Sequence, residues 1–119
     1  VCDYDYNAPD ADYLAQTHER MYKKIRAAHP DAPFLMTTRP VFYERLDTEE
    51  NRCRREIIRR TYDRARESGD DRVFYIDGRQ LFADLPSGDA CADTVHPNDL
   101  GAAVIARRMI GIIREEKLL

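Results

Sequence analysis

The chain has 119 residues, of which 43% are hydrophobic and 34% charged, with 19 Lys and Arg against 22 Asp and Glu for a formal charge of −3. That length fits one domain, and the composition is too apolar for global disorder. The mild acidity leaves no basic footprint for nucleic acid, and no apolar run approaches the about eighteen residues of a membrane span.

Val1 to Tyr6 opens the chain with a β-prone run and no initiator Met. Termini are usually loose and solvated, so this start predicts that a preceding segment is missing, which leaves the compartment open. Residues 1–6 read as a strand running into a loop at Asn7-Ala8-Pro9. Asp10 offers an N-cap, and Leu14, His18, Met21, Tyr22 and Ile25 recur at helical spacing. That helix should stop near Ala28, because His29 precedes Pro30 and the position before proline disfavours the α region. Residues 33–38 form an apolar run of strand length, followed by a polar loop to Asp47.

Thr48, with Glu49 and Glu50 behind it, starts a second helix, since carboxylates favour the positive end of the helix dipole. Cys53, Ile57, Ile58, Thr61, Tyr62 and Ala65 predict its apolar stripe, and Gly69 its stop. Residues 73–77 form another buried strand. Residues 79–97 read mostly as loop, and Asn98 caps a last helix carrying Leu100, Val104, Ile105, Met109, Ile112 and Ile113. Strands and helices in alternation argue for a parallel sheet covered by helices, where function collects in loops at the carboxyl ends of the strands.

Some residue types read as structural. The three cysteines, Cys2, Cys53 and Cys91, are an odd count without a C-x-x-C pair, which describes neither a disulfide framework nor a zinc site. Cys91 and His96 have a spacing that metals use, but no second pair completes a site. Arg54, Arg55, Arg59, Arg60 and Arg64, interleaved with acidic residues, read as a solvated helix face rather than a phosphate patch. His18 and His29 also read as structural.

The chemistry concentrates in Asp93-Thr94-Val95-His96-Pro97, just before the last helix. A histidine moves a proton near neutral pH when a partner fixes its tautomer, and a carboxylate three residues earlier can hold one ring nitrogen. Pro97 and Asn98 stiffen the support. Asn7 is a candidate hydrogen-bond donor, its competing role being an Asx turn before Pro9. Tyr6, with Tyr4 and Tyr13, offers a stacking surface for a sugar-bearing substrate. Arg39 suits an anionic substrate group or a structural salt bridge.

Asp93-x-x-His96-Pro97, followed by Asn98-Asp99-Leu100-Gly101 and an apolar helix, resembles the last conserved block of the SGNH (GDSL-type) hydrolases. Residues 4–9 resemble the block that contributes that family's oxyanion-hole Asn. The family's pattern there is Gly-x-Asn-Asp; here Asp5 takes the Gly position and Ala8 the second acidic one, so Asn7 alone carries over. The resemblance implies a three-layer α/β/α sandwich with a parallel sheet (flavodoxin-like), incomplete at its N-terminal side. Residues 1–119 would be the C-terminal part of one such domain.

The resemblance implies a serine ester hydrolase acting on acyl or acetyl esters, carbohydrate esters among them, without a cofactor or metal. His96 would be the general base, Asp93 its orienting carboxylate and Asn7 the oxyanion donor. The family's nucleophile and its oxyanion-hole Gly belong upstream of Asn7. Ser68 and Ser87, the two serines present, do not follow a strand into a helix. The chain alone is therefore expected to be inactive, needing the upstream segment in cis or as a separate chain. An unfinished sheet also leaves an edge through which chains could associate. The rival expectation is a non-catalytic α/β interaction domain in which Asp93 and His96 merely secure the last helix.

Overall fold

The computed structural model describes residues 1–118, which divide into two compact units. The first comprises Val1–Arg39 and Thr48–Asp77; the second comprises Pro40–Asp47 and the chain from Gly78 onward.

In the first unit, helix α1 (Ala11–Ala28) begins where the Asp10 carboxylate accepts the Tyr13 N–H at 2.7 Å. Its buried face is Leu14, His18 and Tyr22, one residue per turn. The helix ends before His29-Pro30, as the sequence predicts. Arg26 secures this end, donating through Nη1 to the carbonyls of His29 and Ala32 and through Nε to Asp70. Tyr22 donates its hydroxyl to the same carboxylate.

Strands β1 (Phe34–Thr37) and β2 (Val73–Ile76) pair in parallel, from Phe34 opposite Val73 to Thr37 opposite Ile76. Every residue of β1 is buried, the continuous apolar run expected of a parallel strand. The sheet has two strands rather than three. Of the expected first strand, only Cys2 pairs, in a single parallel bridge to Met36. Its N–H donates to Leu35 O, and its carbonyl accepts the Thr37 N–H. The chain then coils into a 3-10 turn at Asp5–Asn7. There the Asp5 carboxylate, not a strand carbonyl, takes the Arg39 N–H at 2.8 Å. The ladder stops because a side chain has supplied that backbone donor's partner.

Helix α2 (Glu49–Glu67) is capped by Thr48 and followed by Gly69 at a φ of 92°, the left-handed stop predicted for it. Its inward stripe keeps Ile57, Ile58, Thr61 and Ala65 of the expected one, with Tyr62 packed beside them, but not Cys53. Residues 54, 58, 61 and 65 follow the helical period, whereas Cys53 lies about 100° round the helix from Arg54 and is exposed. Arg54 and Arg55 are buried, so the arginine-rich face is not wholly solvated. Helices α1 and α2 pack on one another, and α2 also packs on both strands. Leu14, Met36, Ile58 and Val73 form the centre of this core.

The second unit has its own core, with Phe42 stacked on Phe82 at 4.8 Å between ring centroids beside buried Ala90. The stretch expected as a plain polar loop before Asp47 therefore contributes a core residue. Helix α3 (Asp99–Glu115) lays Val104 and Ile105 against this cluster. Gly101 is required by close approach, since a Cβ there would stand 2.2 Å from the Ala90 carbonyl oxygen. Among the described residues, no helix is long and apolar enough to cross a membrane.

Candidate active site

Asp93 and His96 occupy the tip of a short, closed loop. Its stem is the antiparallel bridge between Cys91 and Pro97, in which Ala92 N–H donates to His96 O at 2.9 Å. Asn98 ties the base, accepting the Gly101 N–H and donating to Asp89 O at 2.7 Å. The Cys91 thiol donates to the Asp93 carbonyl at 3.0 Å, so this sulfur serves the loop's shape.

Within the loop, Asp93 Oδ1 accepts the backbone N–H groups of Val95 and His96, at 2.6 and 2.8 Å. Its other oxygen lies 2.8 Å from His96 Nδ1. Three hydrogen bonds converge on one carboxylate. The imidazole bond and the two backbone donors hold its pKa far below the usual carboxylate range. An ionised Asp93 selects the Nδ1–H tautomer of neutral His96 and leaves Nε2 as the basic nitrogen. The side chains are 74% and 56% exposed for His96 and Asp93, so this order comes from local bonds and not from burial.

Asn7, Tyr6 and Arg39 are brought together in the first unit. The Asn7 side chain forms no Asx turn toward Pro9; its Nδ2 donates backwards to Asp3 O at 3.1 Å. A carboxamide nitrogen carries two hydrogens, and this bond uses one. The Arg39 guanidinium lies 4.0 Å from the centroid of the Tyr6 ring and donates to Asn51 Oδ1. It is thus a cation–π and hydrogen-bonding partner rather than a salt-bridge residue. Tyr6, Ala8 and Pro9 form one wall of a cleft of about 330 Å³ that is also lined by Thr48, Glu50, Asn51 and Arg54. Tyr6 and Tyr13 are exposed, whereas Tyr4 is half-buried and stacks against His18.

Sequence reasoning missed the two residues that hold this loop, Asp5 and Arg54. Arg54 Nη1 donates to Asp5 O at 2.7 Å and to Ala8 O at 3.1 Å, spanning Asn7. Glu50 Oε1 holds the other side of the guanidinium, at 3.0 Å from Nε and 2.9 Å from Nη2. Asp5 is 1% exposed, and burial raises its pKa against the opposing pull of the Arg39 N–H and the Arg54 charge. The available signal was the helical period, which places Arg54 in line with Ile58, Thr61 and Ala65.

The sequence pattern of the GDSL-like lipase/acylhydrolase family matches residues 2–114, a span that takes in both loops. The chain belongs to this family. No curated protein matches it in sequence. Among solved structures, the salicylyl-acyltransferase SsfX3 from a tetracycline biosynthetic pathway is similar over 98% of this chain and 36% of its own, with a TM-score of 0.72 and 18% identity. A protein described as a GDSL-like lipase from Bacteroides ovatus is similar over 92% of this chain and 33% of its own, again with a TM-score of 0.72 and 18% identity. The chain thus spans about a third of the length of these structures. At such identities the likeness is one of fold: this GDSL-like chain has the α/β fold of those proteins, as the sequence predicts.

Proposed function

We propose that this GDSL-like chain is the C-terminal part of a serine acyl-ester hydrolase or acyltransferase domain and supplies three of its working residues. The reading rests most on the geometry of the Asp93–His96 pair. His96 Nδ1 meets an ionised carboxylate at 2.8 Å, and the same carboxylate fixes the backbone that carries the histidine. An arrangement that served only to secure α3 would not need the imidazole, because Asn98 already caps that helix.

In this proposal the serine comes from a preceding segment, in cis or as a separate chain. His96 Nε2 takes the serine proton as Oγ attacks the ester carbonyl, and Asp93 stabilises the imidazolium that forms. The tetrahedral intermediate places negative charge on the former carbonyl oxygen. The second Nδ2 hydrogen of Asn7 donates to that oxygen without introducing a charge that would need burial. His96 then returns the proton to the leaving alcohol, and water or an acceptor alcohol releases the acyl group from the serine. The cleft beside Tyr6, with its aromatic ring and the polar side chains of Thr48, Glu50 and Asn51, suits a hydroxyl-bearing ester such as an acylated or acetylated carbohydrate. Arg39 supports this wall through Tyr6.

The test is a comparison of the 119-residue chain with the same chain joined to its upstream segment. The chain alone is expected to hydrolyse no p-nitrophenyl acetate and to take up no serine-directed phosphonate. The joined protein is expected to do both and to lose turnover in H96A. Phosphonate labelling of the chain alone, or full turnover in joined H96A, would refute the reading.

A further inference from the structure

The two carbonyls that flank Asn7 in the chain both accept from one buried guanidinium, and that guanidinium is held from behind by a carboxylate. Arg54 Nη1 donates to Asp5 O and Ala8 O, and the Arg54 side chain is 7% exposed. Asp5 Oδ2 accepts the Arg39 N–H, which ties the same turn to the end of β1. Its other oxygen, 3.8 Å from Arg54 Nη1, has no hydrogen-bond partner, alone among buried side-chain polar atoms of the described residues. A buried charge is tolerated when it is paired and its hydrogen bonds are filled. Asp5 is incompletely satisfied, yet the pair supplies the partners of the Arg39 N–H and of the Asp5 and Ala8 carbonyls, which an apolar pair would leave unmatched.

We infer that Glu50, Arg54 and Asp5 form a positioning device that fixes the backbone on both sides of Asn7 and thereby aims its carboxamide. Glu50 sets the guanidinium plane through two bonds to one oxygen, and Arg54 transmits that plane to the carbonyls of residues 5 and 8. Arg39 holds the turn from its other side, through its backbone N–H on Asp5 and its guanidinium over the Tyr6 ring. Asn7 itself is exposed, and apart from its own bonds to Tyr4 O and Asp3 O it depends on this frame for its direction. A planar guanidinium is suited to the task because its donors are fixed relative to one another, whereas a lysine ammonium rotates. The inference rests on Asn7 being the oxyanion donor, but the frame around it can be measured without turnover.

The experiment reads the Asn7 side-chain amide of the 119-residue chain by ¹⁵N–¹H NMR, alongside far-UV circular dichroism, in wild type, Arg54→Met, Arg54→Lys and Glu50→Gln. In folded R54M, the Asn7 amide proton bonded to Asp3 O is expected to move to its free-amide position and to exchange about tenfold faster, with R54K intermediate. Unchanged Asn7 signals in folded R54M would overturn the inference. Should R54M fail to fold, E50Q decides: Asn7 signals displaced in the same direction support the device, and unmoved signals reject it.

In the chain joined to its upstream segment, R54M is expected to lower kcat by roughly tenfold or more, a larger change than in KM, since the group that Arg54 aims acts in the transition state while Arg54 itself only lines the cleft. Added to N7A, it should lower kcat no further. A full kcat in N7A would reject Asn7 as the oxyanion donor while leaving the NMR result to judge the frame separately.

Discussion

The loop that carries Asn7 and the loop that carries Asp93 and His96 are ordered by opposite means. Around Asn7, distant residues do the work: Arg54 reaches across 46 and 49 positions of sequence to the carbonyls of Ala8 and Asp5, in a buried setting. Around His96, every bond to the Asp93 carboxylate comes from within three residues, in solvent. A residue that must exchange protons benefits from solvent access and a local partner. A group that must point in one direction without titrating benefits from a rigid frame behind it. The first kind of order survives as a short motif, and the second exists only once the fold has formed.

That contrast makes the two loops separable by mutation. The largest effect is expected at the dyad: in the joined protein, D93N or H96A should lower kcat on the order of 10⁴-fold. Because the pair is exposed, the urea midpoint of the chain should not move. A matching loss of stability would show that the dyad is part of the core after all.

R54M should do the reverse and destabilise the first unit by about 3 kcal/mol, the lower end for a broken buried ion pair, since Asp5 can escape by taking a proton. Adding D5N should recover part of that loss, as read by urea unfolding of the single and double variants. A loss in the double variant equal to the sum of the two single losses would mean that Asp5 and Arg54 do not interact.

The buried imidazole of His18, hydrogen-bonded to Thr61 at 3.0 Å, has a pKa lowered from 6.5 to about 4 by desolvation. Above pH 6.5 the ring is neutral in folded and unfolded chains alike, and the full stability is present. As pH falls toward 4, the unfolded chain takes up the proton first, so stability falls, by about 3 kcal/mol at most. Urea melts between pH 7 and pH 4 should show this slope, and H18Q should flatten it.

The smallest effect belongs to Arg59, whose ion pair with Asp63 is half exposed. Its guanidinium also lies 5.3 and 5.2 Å from the Tyr62 and Tyr75 ring centroids, so R59A should lower stability by about 1 kcal/mol, in contrast to R54M on the same helix.

Much of the fold was legible because its signals are local. The caps at Asp10, Thr48 and Asn98, the stops at His29-Pro30 and Gly69, and the apolar runs of β1 and β2 act through neighbours in sequence. Three readings needed correction, each for a non-local reason. The first segment pairs only at Cys2, because Asp5 supplies the partner that the next strand bond would have used. Cys53 faces solvent, because the stripe of α2 is set by its packing on α1 and the sheet, which turns Arg54 inward. The stretch before Asp47 is not only a polar loop, because Phe42 finds its partner in Phe82, forty residues on.

The 119 residues and their motifs determined the α/β layout, the GDSL-like resemblance and the Asp93–His96 pair, because short-range bonds and hydrophobic period are written in adjacent residues. The tertiary structure alone decided that one arginine of an apparently solvated face is buried beneath the Asn7 turn. A guanidinium reads as surface in sequence, and Glu50 one turn away offsets its desolvation only together with the long-range carbonyls of Asp5 and Ala8. Those partners come together after α2 has packed against the segment that begins the chain.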